Sequence, residues 1–201
     1  MKLGIFGGAF NPIHLGHLLL AETAREALAL DRVLFIPTRQ PPHKSDRELL
    51  PGGERLRLIR LAIRDQTAFA ASDIELQRGG PSYTIDTVTA IRRQLPEAKL
   101  FLLIGQDMLA VRWAAWTKLK RLCAVVAARR HGSPKPRQQA GLQWLQMPLM
   151  DIASSDIRRR LREGRSIRYL VPGAVERYLK AHHCYQRLRA GAGESGGASS
   201  W

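Results

Sequence analysis

The sequence predicts an α/β protein: a Rossmann-like, doubly wound parallel sheet of about five to six strands with a small helical C-terminal part. Three observations carry that expectation. Short apolar runs alternate with longer segments of helical periodicity. The runs at 2–6, 99–104 and 122–128 are apolar almost throughout, as strands covered on both faces are. Glycine- or proline-containing breakers separate strands from helices.

Taken in order, residues 2–6 read as a buried strand, followed by a Gly-rich loop. Leu15, Leu18, Leu19, Ala21 and Leu28 give a helix over about 14–30. Residues 32–36 form a second strand stopped by Pro37, and 38–45 a Pro-rich loop. Leu56, Ile59 and Ile63 mark a helix over 54–64, with arginines between them. Residues 72–76 read as a strand, and Gly79-Gly80-Pro81 breaks the chain. A helix follows over 83–95, ending before Pro96. Residues 99–104 are the clearest buried strand. Gly105 follows, and a helix is expected from about Asp107, with Trp113 and Trp116 three residues apart. Residues 122–128 and 144–147 are strands, separated by a polar loop at 131–141. Residues 154–163 form a basic helix capped by Ser or Asp, and 172–182 a last helix with Pro near its start.

The chain has 201 residues. That length suits one domain over 1–185, with 154–185 as its helical C-terminal part. Residues 186–201 are rich in Ala, Gly and Ser and are expected to be a disordered tail. No apolar run approaches the ~20 residues of a membrane span. Cys123 and Cys184 show no motif spacing, so a reducing, cytoplasmic setting is expected. The net charge is +15, with 32 Lys+Arg against 17 Asp+Glu. Residues 1–100 carry +3 of it and residues 101–201 carry +12. This points to an anionic partner without saying which, and compositional bias explains an Arg excess equally well.

In parallel sheets, ligands sit at the carboxyl ends of strands near the switch in strand order. The loop after the first strand is Gly7-Gly8-Ala9-Phe10-Asn11-Pro12-Ile13-His14-Leu15-Gly16-His17. Paired glycines let backbone N–H groups approach an anion. The helix that follows adds unpaired N–H donors. His14 and His17 share one face of its first turn, where two imidazoles can donate to phosphate oxygens. Gly16 between them weakens the helix unless something must come close. Each feature alone has an ordinary structural explanation, as a turn or a cap; together, after strand one, they point to phosphate. The spacing is neither a P-loop nor G-x-G-x-x-G.

This segment resembles the G-G-x-F-x-P-x-H-x-G-H signature of the H-x-G-H nucleotidyltransferases. Further motifs follow in the order of the bacterial nicotinate-nucleotide adenylyltransferase family. They are Pro41-Pro42-His43-Lys44, Ser82-Tyr83-Thr84-Ile85-Asp86-Thr87, Gly105-Gln106-Asp107, Trp116, Arg129-Arg130 and Ile152-Ala153-Ser154-Ser155-Asp156-Ile157-Arg158. Two departures stand out. The segment before Trp116 is one residue longer than the family's, which leaves Trp113 as an alternative stacking ring. Ala153 replaces a hydroxyl residue.

The resemblance implies transfer of AMP from ATP to nicotinate mononucleotide, releasing pyrophosphate. It implies that Gly7, Gly8, Phe10, His14, Gly16, His17, Gly105, Asp107, Ile152, Ser154, Ser155 and Arg158 bind ATP. It places Lys44, Thr84, Trp116 and Arg130 on the mononucleotide, with Arg129 less firmly. His14, His17, Lys44 and Arg158 would serve the transfer itself. Mg²⁺ would arrive on the ATP phosphates, with no metal site of the protein's own. Neither a nucleic acid nor a membrane is implied as a partner, and a homo-oligomer is allowed but not required. Rival expectations are an adenylyltransferase for nicotinamide mononucleotide or phosphopantetheine, a synthetase-like protein, and a basic nucleic-acid-binding module. The synthetase reading lacks a Lys-Met-Ser-Lys-Ser segment, and the last lacks a single basic stripe.

Overall fold

The computed structural model describes residues 1–40, 48–111, 113–130, 141–148 and 150–185, with Arg130 described by its backbone only. The expected loop at 131–141 and the tail at 186–201 therefore lie almost wholly outside the described residues. Among the described residues there are six strands: β1 Lys2–Gly8, β2 Arg32–Pro37, β3 Phe69–Ala71, β4 Lys99–Gly105, β5 Ala124–Arg130 and β6 Leu142–Met147. They form one sheet in the order β3-β2-β1-β4-β5-β6. Every pairing is parallel. The doubly wound expectation is met.

The helices are α1 Leu15–Leu28, α2 Gly52–Ile63, α3 Ile74–Gln77, α4 Thr84–Gln94, α5 Trp116–Leu122, α6 Ser154–Arg162 and α7 Gly173–Ala181. From β1 the chain winds outward through β2 to β3, then returns to β4 and winds the other way. β1 and β4 therefore flank the switch point, where loops diverge and leave a crevice.

Strand periodicity sorts the core into two faces. Phe6, Val33, Phe35, Leu103, Val126 and Ala128 pack with residues of α1, α2, α6 and α7. Leu3, Ile5, Ile36, Leu100, Leu102, Ile104, Val125 and Ala127 pack with residues of α4 and α5. Each fully buried aliphatic or Phe side chain contributes about 1.5–3 kcal/mol of transfer free energy. Ile157, Leu161, Val175 and Leu179 lie in the first cluster, so the C-terminal helices share the core of the β1 loop.

Three local expectations are corrected. Residues 72–76 are not a strand: β3 ends at Ala71, and Ile74–Gln77 is a helical turn. Ser72 Oγ accepts from the Ile74 amide at 3.3 Å, a local bond that favours a turn. The helix expected from Asp107 is a 3₁₀ turn over Gln106–Ala110. Val111 is then extended and Ala115 adopts φ 53°, so α5 starts only at Trp116 and includes Leu122. Trp113 and Trp116 thus do not share a helix face. Finally, the cap of α6 is Ala153, not Ser or Asp.

One arginine of α2 is not solvated. Arg55 is 1% exposed. Its guanidinium donates to Leu50 O at 2.8 Å, Ala9 O at 2.8 Å and Thr38 O at 2.7 Å. It thereby joins the loops after β1 and β2 to the start of α2. Burial lowers its pKa, while Tyr185 and Glu75 nearby raise it. Arg55→Ala should cost roughly 3 kcal/mol in urea unfolding, because one buried and two part-buried carbonyls lose their donor. Arg55→Lys should recover less than half, since an ammonium cannot span the three acceptors. A loss below 1 kcal/mol for Arg55→Ala would contradict this role.

Candidate active site

The loop leaving β1 is braced from three sides. Phe10 takes φ 45°, a left-handed conformation unusual outside glycine. Its ring meets Phe6 edge-on at 5.3 Å and His17 at 5.0 Å. Asn11 is buried and precedes a cis proline. Its side-chain oxygen accepts from Tyr185 Oη at 2.8 Å and from the Leu50 amide at 3.1 Å. Its Nδ2 donates to Glu48 O at 3.0 Å. Gly8 lies against Phe10, where a Cβ would stand 3.2 Å from the ring. Gly7 is exposed, and among the described residues no atom would lie within 4 Å of a Cβ placed on it.

His14 caps α1 in an extended conformation. Its amide donates to His17 Nδ1 at 3.2 Å. The two imidazoles stack, with centroids 3.6 Å apart and planes 27° from parallel. Since Nδ1 of His17 accepts, its proton sits on Nε2. Burial first, and His14 second, hold the His17 pKa well below the usual histidine range. His17 is therefore a neutral donor through Nε2. Gly16 finds its reason here: a Cβ would stand 3.1 Å from His14 Nδ1. What comes close to Gly16 is the His14 ring itself.

α6 is tied to the same loop. Ser154 Oγ donates to Pro12 O at 3.0 Å. Arg158 donates to Asn11 O at 3.0 Å and to Glu48 Oε2 at 3.0 Å. Glu48 also bonds Arg162. Ile152 packs against the same apolar cluster as Phe10, and Ser155 is exposed in the first turn of α6. His14, His17, Ser154 and Arg158 are thus gathered around residues 11–14.

The second set of residues stands on the other face of the sheet. Gly105 ends β4, and the Asp107 carboxylate folds back over its Cα, where a Cβ would collide with it. Thr84 opens α4 and Trp116 opens α5, and Trp116 packs against the cluster that contains Ile85. The Trp113 and Trp116 rings lie 5.6 Å apart. Trp113 Nε1 donates to Met108 O at 2.8 Å, which pins that indole to the 3₁₀ turn. Lys44 lies outside the described residues. Arg130 ends β5, and its side chain lies outside them too.

A family model described as cytidylyltransferase-like matches residues 5–160, from β1 to α6. The chain belongs to the cytidylyltransferase-like family. Its curated relatives include probable nicotinate-nucleotide adenylyltransferases of two bacteria. That of Dehalococcoides mccartyi is 42% identical over 93% of this chain and 98% of its own length. That of Thermus thermophilus is 43% identical over 92% of this chain and 100% of its own. Among solved structures, the Plasmodium falciparum nicotinic acid mononucleotide adenylyltransferase complexed with NaAD superposes with a TM-score of 0.78. It covers 92% of this chain and 97% of that one at 17% identity, a likeness of fold.

For this cytidylyltransferase-like chain, sequence reasoning missed four residues that shape the site. Asn11 and Tyr185 brace the loop, Glu48 holds Arg158, and Arg55 joins the loops. Asn11 falls at a variable place in the signature, and nothing in α2 separates Arg55 from Arg57 or Arg60.

Two outcomes are expected. Gly16→Ala pushes the His14 ring aside, so ATP affinity, read by isothermal titration, should weaken about tenfold or more; unchanged affinity would show the ring is not held there. His17 binds its proton less tightly folded than unfolded. Its penalty is absent above the unfolded pKa near ~6.5 and grows as pH falls through it. The melting temperature should therefore drop below about pH 6.5, and His17→Asn should remove part of that drop.

Proposed function

We propose that the protein transfers AMP from ATP to nicotinate mononucleotide, giving deamido-NAD and pyrophosphate, a step of NAD biosynthesis. The observation that carries this reading is one cluster at the sheet's switch point. There the stacked His14–His17 pair and Arg158 are fixed to the same loop that begins at the exposed Gly7. Relatives at 42–43% identity over nearly the whole chain carry the corresponding name.

The chemistry asks little covalent help of the protein. A phosphate oxygen of the mononucleotide attacks the α-phosphorus of ATP in line. As that P–O bond forms, the bond from the α-phosphorus to its bridging oxygen breaks and pyrophosphate leaves. The nucleophile is already an anion, so no general base is required. Catalysis is then positioning and charge stabilisation. The His17 Nε2–H donates to a phosphate oxygen without bringing a net charge. His14 stands beside it, and Arg158 and Lys44 supply the positive charge.

Gly7, Gly8, Phe10 and Gly16 shape the ATP cradle. Gly105 and Asp107 serve its ribose and adenine side, and Ile152, Ser154 and Ser155 its far end. The Ser154 hydroxyl already donates to Pro12 O, so the backbone around it, not that hydrogen, meets the nucleotide. Thr84, Trp116, Lys44 and Arg130 take the mononucleotide. The hydrogen bond that holds the Trp113 indole to Met108 O favours Trp116 as the stacking ring.

Mg²⁺ would enter on the ATP phosphates and neutralise their charge. Among the described residues, no group of three His, Cys, Asp or Glu side chains could hold an ion. Residues 1–185 act as one domain. Cys123 and Cys184 are both buried thiols, which suits a cytoplasmic enzyme. Among the described residues no helix is long and apolar enough to cross a membrane.

The test is pyrophosphate release from ATP with each candidate mononucleotide. Nicotinate mononucleotide should be strongly preferred. A preference for the amide or for phosphopantetheine would overturn the substrate, and RNA binding without pyrophosphate release would overturn the class. His17→Ala should slow turnover about 10²–10³-fold. Trp116→Ala should raise KM for nicotinate mononucleotide about 3–10-fold, while Trp113→Ala should mainly lower the melting temperature.

A further inference from the structure

Glu75 is a buried carboxylate that the reaction does not use. It sits in α3 at 5% exposure. One oxygen, Oε1, accepts from Thr87 Oγ1 at 2.7 Å. The other, Oε2, is shut off from solvent, with no well-formed hydrogen bond among the described residues, and the Ser82 hydroxyl lies close enough to interact with the carboxyl. Burying a carboxylate is costly even with hydroxyl partners, and an apolar residue would avoid that cost. Such a group calls for a role beyond packing.

The surroundings supply one. Thr87 belongs to the first turn of α4, the turn that opens at Thr84. Its hydroxyl donates to Glu75 and accepts from Arg78 Nη2 at 3.2 Å. Arg78 also donates to Tyr83 O at 3.5 Å, the carbonyl that caps this turn. Ser82, one residue earlier, is buried. Its hydroxyl accepts from the Arg39 amide at 3.0 Å, and its own amide donates to Gln40 O at 3.1 Å. Arg39 Nη1 completes the link by donating to Arg78 O at 3.0 Å. So the start of α4 and the chain leaving β2 are bonded to each other around one carboxylate. Burial raises the Glu75 pKa, while Thr87, Ser82, Arg78 and Arg55 lower it.

We infer that Glu75 is a positioning residue for the mononucleotide: by holding Thr87 it fixes the first turn of α4, and with it Thr84, against the chain leaving β2. The inference rests on the adenylyltransferase reading above. Glu75 touches no substrate; it acts through Thr87. The part of the ATP cradle that holds phosphate is built separately, from the β1 loop and α6 on the other face of the sheet. The consequence is selective. Loss of the Glu75–Thr87 bond should loosen the mononucleotide side and spare the ATP side.

The experiment is steady-state pyrophosphate release with each substrate varied in turn, on the full chain. Glu75→Ala and Thr87→Val should each raise KM for nicotinate mononucleotide about tenfold. KM for ATP should stay within about twofold, and kcat within about threefold. Glu75→Gln keeps an acceptor for Thr87 and should restore the wild-type KM. Thr87→Val tests the idea even if Glu75→Ala fails to fold. A merely structural role would lower the yield or melting temperature without splitting the two KM values. The inference is overturned if Thr87→Val keeps the wild-type KM for the mononucleotide. It is equally overturned if both KM values rise together, or if Glu75→Gln is as impaired as Glu75→Ala. A wild-type enzyme that does not consume nicotinate mononucleotide overturns the functional reading, and this inference with it.

Discussion

The site depends on a buried guanidinium. A parallel sheet delivers its loops to one edge but does not fix them, because each loop leaves its strand with unpaired carbonyls. Arg55 takes three of those carbonyls, from Ala9, Thr38 and Leu50, in one planar fork. Three stretches of chain from two βα connections thereby become one rigid body. Asn11 extends that body to Glu48, Leu50 and Tyr185, and Ser154 and Arg158 extend it to α6. Among the described residues, His14, His17, Ser154 and Arg158 all gather on this frame.

Rigidity of this kind matches the chemistry. A reaction whose nucleophile is already charged gains most from donors that need not reorganise. The His14–His17 stack is such an arrangement. One imidazole is oriented by its neighbour's amide and kept neutral by burial, so it offers a proton in a fixed direction. A cation stands on the same loop in Arg158, whose direction Glu48 and Asn11 O set. The strong net charge of the chain also acquires a partly internal meaning. Arg55 and Arg92 are spent on backbone carbonyls, the latter on Pro96, Ala98 and Leu122. These cations stabilise loops and need no anionic partner.

Much of this was readable from the residues in order. Apolar runs placed five strands close to where they stand, because a strand buried on both faces has few polar positions to blur its limits. The one strand misplaced is β3, a three-residue edge strand whose Phe-Ala-Ala carries almost no periodic signal. The H-x-G-H segment pointed to a phosphate site because its glycines and histidines lie close together in the chain. The break between Gln106–Ala110 and α5 escaped notice because Trp113 and Trp116 fit a helix face equally well.

The sequence by itself determined the alternation of strands and helices, the breakers between them and the motifs at the carboxyl ends. These are local properties, set by side-chain period and backbone freedom within a few residues. Only the tertiary structure decided which arginine is buried, which tryptophan is pinned and which glutamate loses its water. Arg55, Arg57 and Arg60 are alike until α2 packs, and only Arg55 then meets carbonyls 46 and 17 residues away. Glu75 and Glu54 are alike until the turn at Ser82 closes over one of them. A polar group's fate depends on partners distant in the chain, and composition and spacing carry no record of that encounter.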